Sequence, residues 1–225
     1  LKELFDFLIY GRKGTEINVV STNYDKIAEY AASQSEAYIN TGFASSYLGE
    51  LKQNLDSCPT QLKNSYIGKV NIWKVHGSLD WFKKDSQSYY FPNLLELPIG
   101  YQPCIITPGK NKYEKTQQPP HRQLLTKVDE CFTRASGFLC IGYGFNDEHV
   151  QPVLLDKASK NNLPILIVTK DIYAPIRNNV MDGRHNYIAI YSDGANGCKI
   201  ETKEGVIPIP DKEYWKLKEF CTIIK

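Results

Sequence analysis

Residues 17–25 read INVVSTNYD, an apolar run that passes directly into a polar cluster. The run Ile17–Val20 predicts a short buried strand. Asp25 is a good N-cap for a helix, and the apolar spacing of residues 27–31 predicts one. The stretch therefore predicts a strand, a polar turn and a helix in immediate succession.

Two later segments repeat this arrangement. Residues 67–75 predict a strand that ends at His76-Gly77-Ser78, and residues 137–142 predict a buried strand that leads into a polar turn ending at Asp147. Apolar strands that alternate with helices indicate an α/β protein with a Rossmann-like parallel sheet and helices on both of its faces. Ligands of such sheets bind at the carboxyl ends of the strands. We therefore expect the three polar clusters to form one site.

Composition excludes several classes of protein. The 225 residues carry 27 Lys and Arg against 25 Asp and Glu, without the basic excess typical of direct nucleic-acid binding. No apolar run is long enough to span a bilayer. Six cysteines are scattered singly, with no Cys-x-x-Cys pair, so we predict no metal site and a reducing, cytoplasmic compartment.

Each polar cluster also has a purely structural interpretation. Asn23 and Asp25 are common turn and helix-cap residues. His76 fits a structural histidine, and Gly142-Tyr143-Gly144 fits a tight turn between strand and helix. A lone Gly-x-Gly is weak evidence for a nucleotide site.

Taken together, the three motifs resemble the sirtuin superfamily. Residues 21–25 (STNYD) match its Thr-x-Asn-x-Asp turn, residues 74–78 (KVHGS) match its His-Gly motif, and residues 141–147 (IGYGFND) look like its Gly-rich turn. The order of the motifs also agrees. The likeness is greatest to the zinc-free, sirtuin-like domains of bacterial anti-phage defence proteins.

This resemblance implies roles for particular residues, with NAD as the substrate. Asn23 and His76 occupy the family's catalytic positions. The implied cofactor-binding positions are Thr22, Asp25, Gly142, Tyr143, Gly144, Asn146, Asp147 and Thr169. No metal is implied, because the paired cysteines of the zinc-binding protein deacylases are missing.

The resemblance also implies an activity, the hydrolysis of NAD to nicotinamide and ADP-ribose, with NAD depletion during anti-phage defence. One alternative is an NAD-dependent ADP-ribosyltransferase or deacylase, and another is a non-catalytic module that binds NAD or ADP-ribose. Relatives of this kind are commonly homo-oligomers, and many work beside a HerA-type ATPase or another defence partner. We expect the same here.

The whole chain, residues 1–225, is predicted to be one catalytic domain. The family's phosphate-binding Gly-Ala-Gly loop would precede Leu1 and is not in this sequence. Residues 34–66 are rich in Ser, Asn and Tyr without clear periodicity, and we interpret them as an insertion or a mobile cover.

Overall fold

The structure is a computed structural model that describes residues 1–10, 16–44, 48–57, 66–92, 96–107 and 116–224. Two compact units make up the chain, Leu1–Val128 and Asp129–Lys225. The described elements of the first unit are α1 (Lys2–Tyr10), β1 (Glu16–Ser21), α2 (Ile27–Ser33), β2 (Ala37–Asn40), β3 (Gly49–Glu50), β4 (Gly68–Lys74), β5 (Gly77–Lys84), β6 (Gln87–Tyr90), β7 (Gln102–Ile105) and the first half of α3 (His121–Arg134).

A three-stranded parallel sheet with the order β1-β4-β2 forms the centre of the first unit. Val70 and Ile72 of β4 are fully buried on one of its faces, together with Phe5 and Ile9 of α1 and the alanines of α2. The apolar side chains of both helices recur at helical spacing, so each helix presents one apolar stripe to this face. Helix packing therefore fixes α2, and with it the turn that connects β1 to α2.

The opposite face of the same sheet carries a row of asparagines. Asn18, Asn71 and Asn40 stand at the same level of the three strands. Asn40 donates to Asn71 over 2.9 Å, and Asn71 donates to Asn18 over 2.9 Å. Asn18 also accepts from the indole of Trp73. These bonds satisfy amides that an apolar face would otherwise leave unpaired, and they fix the register of the strands.

A small antiparallel sheet with the order β3-β6-β5-β7 completes the first unit. Strand β5 begins directly after His76, so the small sheet starts at the turn that contains this histidine. Trp81 of β5 is almost fully buried and packs on Phe43, with 4.6 Å between the ring centroids.

The second unit contains a five-stranded sheet with the order β12-β11-β10-β9-β8. Three of its strands are parallel, and two antiparallel strands extend the sheet at one side. Its elements are β8 (Phe138–Ile141), α4 (Gln151–Lys160), β9 (Ile165–Val168), α5 (Ala174–Asn179), β10 (Tyr187–Ser192), β11 (Cys198–Thr202), β12 (Gly205–Ile209) and α6 (Leu217–Ile223).

The predicted α/β class and the parallel pairing of strands are confirmed. The strands are divided among three sheets, however, and the small antiparallel sheet was not predicted. Residues 34–66 contain β2 and β3, so part of the expected insertion is a strand of the main sheet; residues 45–47 and 58–65 of it lie outside the description. Among the described residues, no helix is long and apolar enough to cross a membrane.

Candidate functional site

The catalytic candidates of the first unit follow two adjacent parallel strands. Pairing of β1 with β4 ends at Ser21 and Lys74, and the amide of Val75 still donates to the carbonyl of Ser21 over 3.2 Å. Asn23 lies two residues after Ser21, and His76 lies two residues after Lys74, so each residue follows the end of its strand. Because the strands are parallel, both residues lie at the same end of the sheet.

The turn that carries Asn23 is held by its own polar groups. The amide of Asn23 donates to Ser21 Oγ over 3.1 Å, and its side chain is exposed. Asp25 Oδ1 accepts from the amide of Ile27 at the start of α2. Thr22 and Asp25 are half-buried. The N-cap of α2 is Lys26 rather than the predicted Asp25, which instead closes the turn just before the helix, and the Asn23 side chain faces away from the core.

Lys74 ties the Asn23 turn to the His76 turn. Its ammonium is buried, with a side chain only 1% exposed, and it donates to the carbonyls of Tyr24 (3.3 Å) and Asp25. It also donates to Ser78 Oγ over 3.0 Å and forms an ion pair with Glu29 of α2 at 3.1 Å. One buried cation thus joins the residues that follow Asn23 to those that follow His76.

Glu29, with a side chain 14% exposed, is the anionic partner of this cation. Burial raises the pKa of the Glu29 carboxyl above its ordinary value, and the neighbouring Lys74 ammonium opposes that rise. The Lys74 ammonium therefore favours the ionised form of this carboxyl, against the effect of burial.

The backbone around His76 leaves little freedom. The carbonyl of His76 accepts from the amide of Ile106 over 2.8 Å, and the amide of Leu79 donates to the carbonyl of Tyr24. Gly77 has φ +91°, and a Cβ there would stand 2.1 Å from the carbonyl oxygen of Cys104. Only glycine fits this close approach. His76 itself is 8% exposed, so its ring is largely enclosed.

The glycine-rich candidates lie in the second unit, after β8. The amide of Gly142 donates to the carbonyl of Val168 over 2.9 Å, and its φ of +59° suits glycine. Gly144 is half-buried and Asn146 is exposed, whereas Asp147 is buried. The Asp147 carboxylate accepts from the amides of His149 and Val150, both at 3.0 Å, just before α4. Asp147 therefore caps the turn that leads into α4, whereas the N-cap position of the helix itself is Val150.

Tyr143 and Thr169 complete this second group. Burial raises the pKa of the Tyr143 hydroxyl, with the carboxylate of Asp147 acting in the same direction. Thr169 follows β9, the parallel neighbour of β8, and is nearly buried. Gly142, Tyr143 and Thr169 therefore lie at one end of the second sheet. A single cleft that joins this group to Asn23 and His76 stays a prediction.

No group of three or more His, Cys, Asp or Glu side chains that could hold a metal ion occurs within the described part of the chain. The prediction of a metal-free site therefore remains to be tested by direct analysis.

Comparison with protein families matches residues 17–195 to the SIR2-like domain. The chain belongs to the SIR2-like domain family. SIR2-like domains bind NAD and are generally NAD-dependent enzymes, and the match is consistent with an NAD-related activity. The match includes every residue that we predicted for the site. Comparison with curated proteins gives no match.

Lys74 and Glu29 are the two site residues of this SIR2-like domain that sequence reasoning missed. A lysine within an otherwise apolar strand, two residues before the histidine, was an available signal. Its four contacts come from three separate segments of the chain, so no local pattern could have shown them.

Proposed function

We propose that this SIR2-like domain hydrolyses NAD to nicotinamide and ADP-ribose. The observation that carries the proposal is the position of Asn23 and His76 at the carboxyl ends of adjacent parallel strands, in turns that Lys74 joins. Membership of an NAD-dependent family supports the choice of substrate.

The residue types suit this chemistry. Nicotinamide leaves NAD as a neutral molecule, so the leaving group needs no proton, unlike the oxygen in ordinary glycoside hydrolysis. The remaining tasks are to stabilise an oxocarbenium-like ribose and to place a water molecule on its open face. The exposed amide of Asn23 can hold that water without adding charge. His76 can bond the ribose hydroxyls and accept a proton as the water attacks.

The residues present also fit the dinucleotide. Gly142, with no side chain and an exposed backbone, allows a close approach of phosphate, and nothing within 4 Å would obstruct it. In this proposal Thr22 and Asp25 shape the nicotinamide-ribose end. Tyr143, Gly144, Asn146, Asp147 and Thr169 shape the rest of the NAD site.

The test is nicotinamide release by the full-length protein, wild type against Asn23→Ala and His76→Ala. We expect each variant to lose roughly a hundredfold or more in rate, the size expected for losing general-base catalysis or positioning of the water. Asn23 is exposed, so we expect Asn23→Ala to melt close to the wild type, whereas loss of the largely enclosed His76 ring should lower the melting temperature of a variant that still folds. Asn178→Ala, an exposed change in α5, is the matched control.

A correctly folded His76→Ala variant that releases nicotinamide at the normal rate would rule out this mechanism. A wild-type protein that binds NAD but releases no nicotinamide, alone or with a partner or phage trigger, would favour the interpretation as a non-catalytic binding module. Transfer of ADP-ribose to a protein acceptor, instead of release of free ADP-ribose, would favour the alternative hypothesis of an ADP-ribosyltransferase.

We further propose that the activity depletes NAD during anti-phage defence, in a homo-oligomer that works beside a HerA-type ATPase or another defence partner. The resemblance to defence-type sirtuin domains supports this. Light scattering of the purified protein and phage plating on cells with wild-type or His76→Ala protein would test it.

A further inference from the structure

His121 is a buried histidine that the proposed mechanism does not use. It is 4% exposed and is the first residue of α3, within the first unit. Leu124 and Val128, three and seven residues later, are almost completely buried, and this spacing puts them on the same side of the helix. The apolar stripe of α3 therefore places the His121 ring in the core, where polar atoms need partners.

Both ring nitrogens of His121 have a partner. Nδ1 lies 3.1 Å from the carbonyl oxygen of Val75, and Nε2 lies 3.7 Å from Cys104 Sγ. A carbonyl oxygen only accepts hydrogen bonds, so the proton is on Nδ1, and Nε2 of the neutral ring is an acceptor. The Cys104 thiol donates to this nitrogen, because burial raises the pKa of the thiol and keeps it protonated. The two contacts together select one tautomer of His121.

The Val75 carbonyl belongs to the peptide group that leads into His76. Because a peptide group is planar, a hydrogen bond that fixes this carbonyl also fixes the backbone N–H of His76. The peptide group on the other side of His76 is held as well, since the carbonyl of His76 accepts from the amide of Ile106 over 2.8 Å. Two fixed peptide planes set the direction of the Cα–Cβ bond of His76, from which its ring projects.

Ile106 also contacts the turn that carries Asn23. The hydroxyl of Tyr24, the residue after Asn23, donates to the carbonyl of Ile106. Ile106 therefore bonds the His76 turn through its amide and the Asn23 turn through its carbonyl. A shift of the backbone at His76 would change its placement relative to Asn23.

We propose that His121 is a positioning residue for His76, and that its Nδ1–H, bonded to the Val75 carbonyl, fixes the direction in which the His76 ring projects. This inference rests on the proposed role of His76 in NAD hydrolysis. His121 touches neither the substrate nor the reacting atoms and acts only through the backbone that precedes His76. The Cys104 thiol assists by holding the tautomer that donates from Nδ1.

Two substitutions separate the two ring nitrogens of His121. The side-chain amide of His121→Asn places a donor where Nδ1 stands and can still bond the Val75 carbonyl. The longer side chain of His121→Gln places its amide where Nε2 stands and loses that bond. Both substitutions remove the imidazole, so they share any loss that comes from packing alone.

His185→Gln is the matched control, because His185 is a buried histidine of the second unit. It precedes β10, whereas Thr169 follows the parallel strand β9, so the two residues lie at opposite ends of the second sheet. We expect this control to lower the melting temperature without lowering the rate of nicotinamide release.

The first measurement is nicotinamide release by the full-length protein. We expect His121→Gln to lower kcat by about tenfold or more at an unchanged KM for NAD, since a small displacement of a catalytic group can cost that much. His121→Asn should keep most of the wild-type kcat. An equal loss of kcat in both His121 variants, or wild-type kcat in both, would overturn the proposal.

The second measurement, ¹⁵N NMR of the histidine rings, does not depend on activity. The chain has four histidines, and the His76→Ala variant identifies the signals of His76. We expect the His76 signals to move in His121→Gln and to stay in place in His121→Asn, with the wild-type His121 ring protonated on Nδ1. A His121 ring protonated on Nε2 alone would overturn the proposal. If the wild-type protein releases no nicotinamide, the proposed function fails, while these signals still decide whether His121 positions His76.

Discussion

At the scale of single residues, Lys74 is unusual. Its buried ammonium donates hydrogen bonds to two backbone carbonyls and a serine hydroxyl, and it pairs with one carboxylate. A structural ion pair would need only Glu29. The carbonyl contacts instead hold the turn that carries Asn23 against the turn that carries His76. We therefore interpret Lys74 as a positioning residue of the proposed site.

We predict that Lys74→Met lowers the free energy of unfolding by about 3 kcal/mol, because removing one partner strands the other charge in a buried site. Adding Glu29→Gln should restore much of that stability by removing the stranded carboxylate. Nicotinamide release should stay low in both variants, since neither restores the carbonyl contacts. Urea denaturation and a rate assay on the same preparations measure the two effects.

Lys160→Met is the control for Lys74, because Lys160 forms an exposed pair with Asp156 at 2.9 Å. Its loss should change stability by no more than about 1 kcal/mol. Wild-type nicotinamide release by the Lys74→Met, Glu29→Gln double variant would show that Lys74 serves the fold alone.

At the scale of elements, the strands that the sequence predicted best are those with uninterrupted apolar runs. β1, β4, β8 and β9 are present where Ile17–Val20 and its counterparts predicted them. Strands β2 and β5 were not predicted, because their sequences, AYIN and GSLDWFKK, mix polar and aromatic residues without a clear period. Strand β2 forms by pairing with the distant β4, which no local pattern encodes, whereas β5 forms a hairpin with β6 through Asp85 and Ser86, both at positive φ.

The asparagine row on the central sheet could not be predicted from local sequence either. Asn71 lies within the apolar strand β4, where local sequence alone gives no reason for a polar side chain. Its partners, Asn18 and Asn40, are 53 and 31 residues away along the chain. Only the register of three parallel strands brings them together, so the network could not be predicted before the fold.

We predict that Asn71→Ala lowers the free energy of unfolding by about 2–3 kcal/mol, because it removes a fully buried amide and takes one hydrogen-bond partner from the buried amide of Asn40. Equilibrium urea denaturation measures the change. Asn178→Ala, at an exposed helical position, should have little effect or stabilise slightly. An Asn71→Ala protein as stable as the wild type would mean that the row contributes nothing to the register.

At the scale of the whole molecule, the chain divides into two units, each built around parallel strands that end in polar turns. The candidate residues are divided in the same way, with Asn23 and His76 in one unit and Gly142 and Thr169 in the other. Sequence order could predict both groups, because each follows an apolar strand. It could not predict β2, which becomes a strand of the central sheet by pairing with the distant β4.

The described cysteines are also divided between the units, and among the described residues no group of three or more His, Cys, Asp or Glu side chains could hold a metal ion. Burial raises the pKa of Cys104 to about 11 and that of Cys140 to about 12, so both stay protonated at neutral pH. Cys104 lies 3.7 Å from His121 Nε2, which supplies two potential ligands where a structural site needs four. Cys58 lies outside the described residues.

We therefore predict that the purified protein contains no stoichiometric zinc and that excess EDTA leaves its melting temperature unchanged. A structural zinc contributes directly to folding, so a chelator would lower the melting temperature if one were present. The same buried thiols should react slowly with a thiol reagent in the native state and rapidly in urea, which checks the basis of the prediction independently of metal analysis. One zinc per chain, with a melting temperature that falls on chelation, would contradict this prediction. It would then favour the hypothesis of a zinc-dependent deacylase.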